Sequence, residues 1–589
     1  MRLTELLHDK SLLWRALILV AACFLVYSPA IEAGFIWDDD RYVTENPLLR
    51  APDGLWRIWF TTDSPSQYFP LTYTSFYFEY ACCGLDATVY HVTNILLHGF
   101  NAVLVWLLLR RLSSPGAWLA AAIFAVHPVQ VESVAWVTER KNLLMALFSL
   151  LSLLAWCDFV ERTTERRPAG WTYAFSLLFF AFALAGKSTA CTLPAALVLT
   201  LWLRNVRVDA RRWLQIAPFV ALGLASGLLA IWWEHDHQGT GATDLGMDRL
   251  DSLLVASRGV WFYLGKIAWP VNLAFSYPKW SLDPGQVWQW TWLVACVVAA
   301  TTMYFARRKL GKGPIAALVF FVATLSPMLG FVPLYTFLYT YVADHYQYFA
   351  CLGPIALVAA LVQRTSRLDP RGRVPVVLGA AILLSLGVST FRQSRAYESA
   401  ETLWLDTLAK NQDSWMACNN LGATYSQGGR YEDAIRAYER ALDLMPASER
   451  GSGSDGGLEN VLHGTELSES VARNRGFAPA HYNLGVAYGK MGRFEDAVRS
   501  YEAAIRVNPR NAAAYSNLGS TLAKLGRYEE ARAAARNALA LEPELIEASF
   551  NLGAASALLG DGQAAMEQYE HLKSVAPGTA QRLLELLRR

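Results

Sequence analysis

The sequence predicts an all-α protein in two parts: a polytopic membrane bundle, then a solenoid of paired helices. Three observations predict it. Of 589 residues, 53% are hydrophobic and only 17% charged, too apolar for an ordinary soluble protein. The apolar residues form long blocks up to about residue 390, and beyond that the chain is polar and rich in Ala, Glu and Arg. Within the polar part the tripeptide Asn-Leu-Gly recurs at Asn420, Asn483, Asn517 and Asn551. A net charge of +2 with no basic stripe sets nucleic acid aside as a partner.

The bundle is expected over residues 1–395. A helical span needs about 20 apolar residues. About eleven candidates occur, at 12–30, 94–112, 116–127, 142–160, 171–186, 188–203, 214–233, 291–306, 314–333, 349–363 and 374–390. The first, flanked by Arg2, Lys10 and Arg15, resembles a signal peptide but is read as a retained anchor, because many spans follow. Loop cations set the orientation. Arg110-Arg111, Arg162 to Arg167, Arg204 to Arg212, Arg307 to Lys312 and Arg364 to Arg373 all follow even-numbered spans. That side is expected to be the cytoplasm, with the N-terminus there. The loop at Asp38–Asp40 and everything after residue 391 then lie outside. Residues 251–270 break this alternation if they cross, so they are read as re-entrant or interfacial; Trp261, Phe262, Tyr263 and Trp269 suit an interface. The eight cysteines form no CxxC pair and read as small hydrophobes.

The second part is expected over residues 396–589, with units near 415–448, 478–511, 512–545 and 546–579. The last three Asn-Leu-Gly copies are 34 residues apart. Each unit then carries a turn glycine (Gly429, Gly492, Gly526, Gly560), an alanine (Ala434, Ala497, Ala531, Ala565) and a proline (Pro446, Pro509, Pro543, Pro577) at fixed offsets. Two helices, small residues at their crossing and a closing proline make the tetratricopeptide pattern. The first two copies are 63 apart, so 29 residues are inserted, including the Gly/Ser-rich stretch 448–457. Residues 396–411 are expected to add a joining helix.

Ionisable residues in or at the mouth of an apolar bundle are costly, and each marks a functional candidate. Trp37-Asp38-Asp39-Asp40 follows the first span directly. Consecutive carboxylates repel, so the triplet is either a hydrated loop or a site where one acid takes a proton from a hydroxyl. The block from Phe124 to Lys141 brings together His127, Glu132, Arg140 and Lys141, of which the last two could hold a phosphate. Gly186-Lys187-Ser188-Thr189 has a P-loop ending, but Ala181 stands where the first glycine would be, so Lys187 is expected to meet a lipid phosphate or to snorkel. Asp344, His345 and Tyr348 open the tenth span and could line the same cavity. His127 and His345 lack metal-ligand spacing, and Glu234-His235-Asp236-His237 reads as a hydrated loop.

Five blocks carry a resemblance. They are Gly34 to Asp39 with Asn46-Pro47; Tyr68-Phe69-Pro70-Leu71-Thr72; Tyr90-His91 to Asn94 and His98; Ala125-Val126-His127-Pro128 to Arg140; and Val342 to Tyr348. In this order, with the repeats after them, the chain resembles the transmembrane and tetratricopeptide-repeat O-mannosyltransferases and their bacterial relatives. These are GT-C glycosyltransferases, which use polyprenyl-phosphate sugars. The resemblance implies Asp38 and Asp39 at the catalytic centre, with Asp40 an extra acid. It implies Arg140 and Lys187, with His345, at the donor phosphate. Asp40, His127, Glu132, Lys141, Asp344 and Tyr348 are further candidates to line the cavity. This chain departs at His345, where the family commonly has Arg, and at Lys187-Ser188, where it often has Lys-Glu or Lys-Pro.

The resulting expectation is inverting transfer of mannose or a similar hexose from a polyprenyl phosphate to Ser or Thr of an exported protein held by the repeats. No cofactor is expected; a divalent metal is possible but not expected, and no metal-binding residues are assigned. The alternatives are a non-enzymatic membrane scaffold, or a lipid or polysaccharide acceptor. A bacterial inner membrane is the expected location, with the endoplasmic reticulum as the alternative.

Overall fold

The computed structural model describes residues 10–63, 67–236, 247–332, 334–367, 371–444 and 478–588. The inserted stretch 448–457, Pro446 and His237 lie outside them. Among the described residues every regular element is helical. Helices of ten residues or more are α1 (Lys10–Val26), α2 (Pro70–Cys83), α3 (Ala87–Arg111), α4 (Ala117–Val126), α5 (Arg140–Thr164), α6 (Gly170–Gly186) and α7 (Leu193–Leu203). They continue as α8 (Ala210–Asp236), α9 (Arg249–Ala268), α10 (Thr291–Leu310), α11 (Lys312–Leu325), α12 (Leu352–Arg364), α13 (Arg373–Ser394) and α14 (Ala400–Lys410).

The count of about eleven spans is corrected. Among the described residues five helical stretches are long and apolar enough to cross a bilayer: Ala87–Arg111, Val137–Thr164, Ala210–His235, Val287–Leu310 and Arg373–Tyr397. A sixth is added if Ala117–Val126 and Pro128–Ala135, bent by 55°, form one span. That bend follows from His127-Pro128: proline has no N–H and pushes the preceding residue out of helical geometry, and His127 is extended (ψ 128). Elsewhere the apolar runs are cut by turns. Helix α6 stops at Gly186 and α11 at Leu325, while α12 has only 13 residues. At 1.5 Å per residue such helices fall short of a hydrocarbon core about 30 Å thick. Helix α9, over most of the 251–270 stretch, is not among the candidate spans.

The cations used for orientation are partly paired at one set of helix ends. Asp158 of α5 takes Arg111 and Arg162, and Glu161 takes Arg111 (3.0 Å) and Arg204 (2.9 Å). Two glycines let backbones touch. A Cβ on Gly353 of α12 would sit 2.2 Å from the Ala317 carbonyl oxygen of α11, whereas one on Gly387 of α13 would make an ordinary 3.5 Å contact with Val26. Gly353→Ala is therefore expected to cost about 1–3 kcal/mol through overpacking. Gly387→Ala should instead stabilise by about 0.5–1 kcal/mol. Thermal unfolding in nanodiscs reads both. Helix α8 carries Gly223 and Gly227 in its interior, each costing about 1 kcal/mol against alanine.

The chain divides into two compact units, one up to Asn411 and one from Gln412. The dividing line thus falls after α14, not at 395, because α14 packs into the membrane unit. Ser399 caps it with a capping box, Trp404 meets Phe275 at 5.4 Å, and Lys410 Nζ donates to the Leu273 carbonyl (2.6 Å).

The second unit is a run of helix pairs: Trp415–Gln427 with Tyr431–Leu444, Ala478–Lys490 with Phe494–Val507, Ala512–Lys524 with Tyr528–Leu541, and Ile546–Leu558 with Gly562–Val575. All four turn glycines adopt left-handed φ, from +74 to +79, which only glycine reaches without cost. The four alanines are buried. Cβ atoms on Gly422 and Gly485 would lie 2.7 Å from the rings of Tyr438 and Tyr501, so the small residue sets the crossing distance. A last helix, Pro577–Leu587, covers the final pair through Ala580 and Leu583.

Candidate active site

The acid triplet is shaped by Trp37. Its φ of +48 is left-handed, a strained state for a bulky residue. Aromatic packing fixes it: Trp37 stacks on Trp136 (5.4 Å) and meets Phe275 (5.0 Å) and Trp404 (6.1 Å) edge-on. The backbone then turns so that the three acids point to different places.

Asp39 is fully buried. One carboxylate oxygen accepts the Ile36 amide (2.9 Å), and the other accepts the amide (2.8 Å) and hydroxyl (2.5 Å) of Thr138. It ties the first loop to the turn ahead of α5. Burial pushes its carboxyl up to about 7 against the pull of these three donors. Asp38 is only half-buried. Burial raises its carboxyl too, opposed by the charges of Lys141 and Arg41. Asp40 accepts the Thr44 hydroxyl within its own turn (3.0 Å).

The cations converge on a residue that sequence reasoning left unassigned. Glu139 is fully buried. Lys141 Nζ lies 2.9 Å from one of its oxygens; Lys187 Nζ lies 3.3 Å, and Asn142 Nδ2 2.6 Å, from the other. Lys187 also donates to Asn142 Oδ1 (2.8 Å). His345 bridges two acids: its Nδ1 is 2.9 Å from Glu132 Oε1 and its Nε2 is 3.9 Å from Glu139 Oε1. The His345 amide donates to Glu132 (2.9 Å), and its carbonyl accepts from Asn142 (2.9 Å). Lys141 stands over the rings of Tyr42 (5.1 Å), Trp136 (5.6 Å) and Phe69 (5.8 Å). Two ammoniums and an imidazole thus share two buried carboxylates beside Asp38.

Arg140 is elsewhere. It is fully buried and donates to Glu79, Asn94 (2.8 Å), the Tyr90 carbonyl (2.9 Å) and Ser75 (3.4 Å), with the Phe76 ring at 4.6 Å. These bonds fix the start of α5 to α2 and α3. His127 caps its own turn and pairs with the Ile267 carbonyl (3.0 Å). Asp344 accepts the Tyr277 hydroxyl at 3.0 Å, and burial beside Glu132 raises its carboxyl to about 8. Tyr348 is held by His98 (2.8 Å) and Asn101 (3.1 Å). Among the described residues no three His, Cys, Asp or Glu side chains gather as metal ligands would.

Fold and site together define a class: helical membrane proteins with a tetratricopeptide tail. The repeats match the tetratricopeptide-repeat family models over residues 415–447, 482–546 and 518–577. The chain is similar to the Caenorhabditis elegans protein O-mannosyl-transferase F38B6.6, 24% identical over 471 residues, which cover 74% of this chain and 63% of that one. It is also 31% identical over 197 residues to the human protein O-mannosyl-transferase TMTC4, covering 29% of this chain and 27% of that one. The chain therefore spans less than two thirds of the length of these relatives. The resemblance to the transmembrane and tetratricopeptide-repeat O-mannosyltransferases holds. Among solved structures, the tetratricopeptide protein YrrB aligns at 17% identity and a TM-score of 0.25, covering 38% of this chain and 97% of that one.

Proposed function

We propose that the chain is a protein O-glycosyltransferase that moves mannose or a similar hexose from a polyprenyl phosphate to a Ser or Thr hydroxyl, with inversion. One observation carries the proposal. Asp38 is half-buried, and among the described residues its carboxylate has no hydrogen-bond partner; it lies beside the cluster of Lys141, Lys187 and His345. Asp38 takes the hydroxyl proton. The hydroxyl oxygen bonds to the anomeric carbon as the bond from that carbon to the phosphate oxygen breaks. The phosphate leaves with the electron pair, and Lys141 and Lys187 offset its charge. His345, already between two carboxylates, supplies a third positive charge when protonated. Asp39 is a positioning residue that holds the loop. Arg140, assigned to the phosphate by resemblance, acts here through the packing of α5.

The relatives' names support a protein acceptor, and the repeats supply a surface of the kind that holds peptides. The expected setting is a bacterial inner membrane with the N-terminus in the cytoplasm and the site outside. The test is transfer from polyprenyl-phosphate hexoses to exported protein or peptide by the purified chain in liposomes. Transfer to Ser or Thr is expected; no transfer with any such donor would overturn the proposal.

The pH profile adds a second check. Both Asp38 and Asp39 work as carboxylates, and burial raises both, Asp39 to about 7. Activity should therefore fall as pH drops through about 7. The acid limb of kcat/KM, which reports groups of the free enzyme, is expected well above the ordinary carboxylate range.

A further inference from the structure

The membrane unit holds a cavity of about 480 Å³ between α3, α5, α7, α11 and α12. Helices α3 and α5 start beside Arg140, and α7 starts at the turn after Lys187. The cavity is lined by their later turns: Val105 to Leu112 of α3, Leu150 and Leu153 of α5, and Ala196 to Leu203 of α7. It therefore lies toward the end of the bundle where Asp158 and Glu161 pair with arginines, away from the acid triplet. That end is the one the loop cations mark as cytoplasmic.

The lining is graded. Inside it is apolar, with Leu150, Leu153, Phe320 and Leu352, and the Thr200 hydroxyl there is spent on the Leu197 carbonyl of its own helix (2.7 Å). Gly353 closes the inner end by letting α12 touch the Ala317 carbonyl of α11. The other polar lining residues stand at helix ends: Ser113 and Ser114 after α3, Lys312 at the start of α11 and Arg364 at the end of α12. Among the described residues that line the cavity there is no acid.

The two cations at the mouth are not neutralised. Asp158 and Glu161 are taken by Arg111, Arg162 and Arg204. Lys312 Nζ donates to two uncharged acceptors, the Trp202 carbonyl (2.7 Å) and Asn205 Oδ1 (2.5 Å), and an ammonium has a third N–H. Arg364 is exposed and, among the described residues, makes no ion pair. Depth is set by α12, which lines the cavity from Leu352 to Arg364. Its 13 residues rise about 20 Å, close to one leaflet, about 15 Å, of the hydrocarbon core.

An apolar cavity about one leaflet deep, with two uncompensated cations at its mouth, fits an amphiphile with an anionic head. We infer that it lodges an acyl chain of an anionic glycerophospholipid, whose phosphate meets Lys312 and Arg364. Charge selects this occupant: a zwitterionic lipid brings its own cation to the mouth and gains less there. The cytoplasmic leaflet is where anionic phospholipids gather, and basic pockets between spans on that side take their head groups. The inference stands apart from the proposed sugar transfer, because none of its residues belongs to the cluster around Glu139.

The test is cross-linking of phosphatidylglycerol with a diazirine in its acyl chain to the full chain in nanodiscs. Label is expected on peptides of α3, α7 and α12. Ala356→Phe, inside the cavity, should reduce it at least tenfold, while Val358→Phe, exposed on the same helix and outside the lining, should change it less than twofold. Arg364→Gln disturbs only the mouth, so it reads the head-group contact even if Ala356→Phe fails to fold. It should reduce label at least fivefold, and Arg308→Gln, an exposed cation outside the lining, less than twofold. Unlabelled phosphatidylglycerol should displace the probe at least tenfold better than phosphatidylcholine. Absence of label from these helices, equal label in Arg364→Gln and Arg308→Gln, or equal displacement by the two lipids would overturn the inference. So would stronger displacement by a polyprenyl phosphate than by phosphatidylglycerol, which would make the cavity a site for the isoprenoid lipid.

Discussion

Asp38→Asn is expected to lower sugar transfer by about 100- to 10,000-fold, the range for removing a general base, with little change in thermal stability. The reason lies in what each acid touches. Among the described residues the Asp38 carboxylate has no hydrogen-bond partner to lose, and, half-buried, it faces the charges of Lys141 and Arg41. Asp39→Asn should behave differently. Its amide group can satisfy Thr138 or Ile36 but not both, because an –NH2 would be turned toward an N–H. A lost hydrogen bond to a charged group costs about 1.5–3 kcal/mol, so this variant should lose stability and activity together. Steady-state transfer assays paired with thermal unfolding separate the two. An Asp38→Asn protein that melts several degrees lower but transfers normally would contradict the assignment.

Glu139→Gln is expected to have the largest effect on stability, about 3–5 kcal/mol, the usual result of removing one partner from a buried ion pair. Both Lys141 and Lys187 lean on this one carboxylate, and Asn142 and His345 are arranged around it. Removing Lys187 as well should relieve part of the damage, since one unpaired ammonium then leaves with its partner. Glu139→Gln combined with Lys187→Met is therefore expected to fall short of the sum of the two single losses by about 1–3 kcal/mol. Additive losses in a double-mutant cycle would show that Glu139 and Lys187 do not interact. Activity should fall in all three variants, because the phosphate would no longer meet a fixed ammonium.

The repeats were legible residue by residue. Gly429, Gly492, Gly526 and Gly560 stand where the backbone must turn left-handed, and Ala434, Ala497, Ala531 and Ala565 where helices cross. Both demands are local, so spacing reveals them. The bundle was legible as helical and apolar but not in its span count. Hydropathy averages across breaks such as Lys187 and His127-Pro128, where backbone geometry ends a helix inside an apolar run. In the site, the sequence picks out the charged residues but not the partners that the fold gives them. Arg140 and Lys141 are adjacent cations at the start of α5, yet Glu79, 61 residues earlier, takes Arg140. Glu139 stood beside them unassigned because an acid next to two cations reads as a surface pair. Only the fold, by bringing Lys187 and His345 to it, makes it the hub. The choice between Asp38 and Asp39 likewise depends on the φ of Trp37 and the aromatic rings that hold it.

The most direct test of Asp38 as the base is rescue of Asp38→Ala by formate, a small carboxylate that can enter the space left by the side chain. Transfer by Asp38→Ala should be nearly abolished and partly restored by added formate, while Asp39→Ala should not respond, because its loss loosens the loop. Full activity of Asp38→Ala without formate, or rescue of Asp39→Ala in its place, would contradict the account.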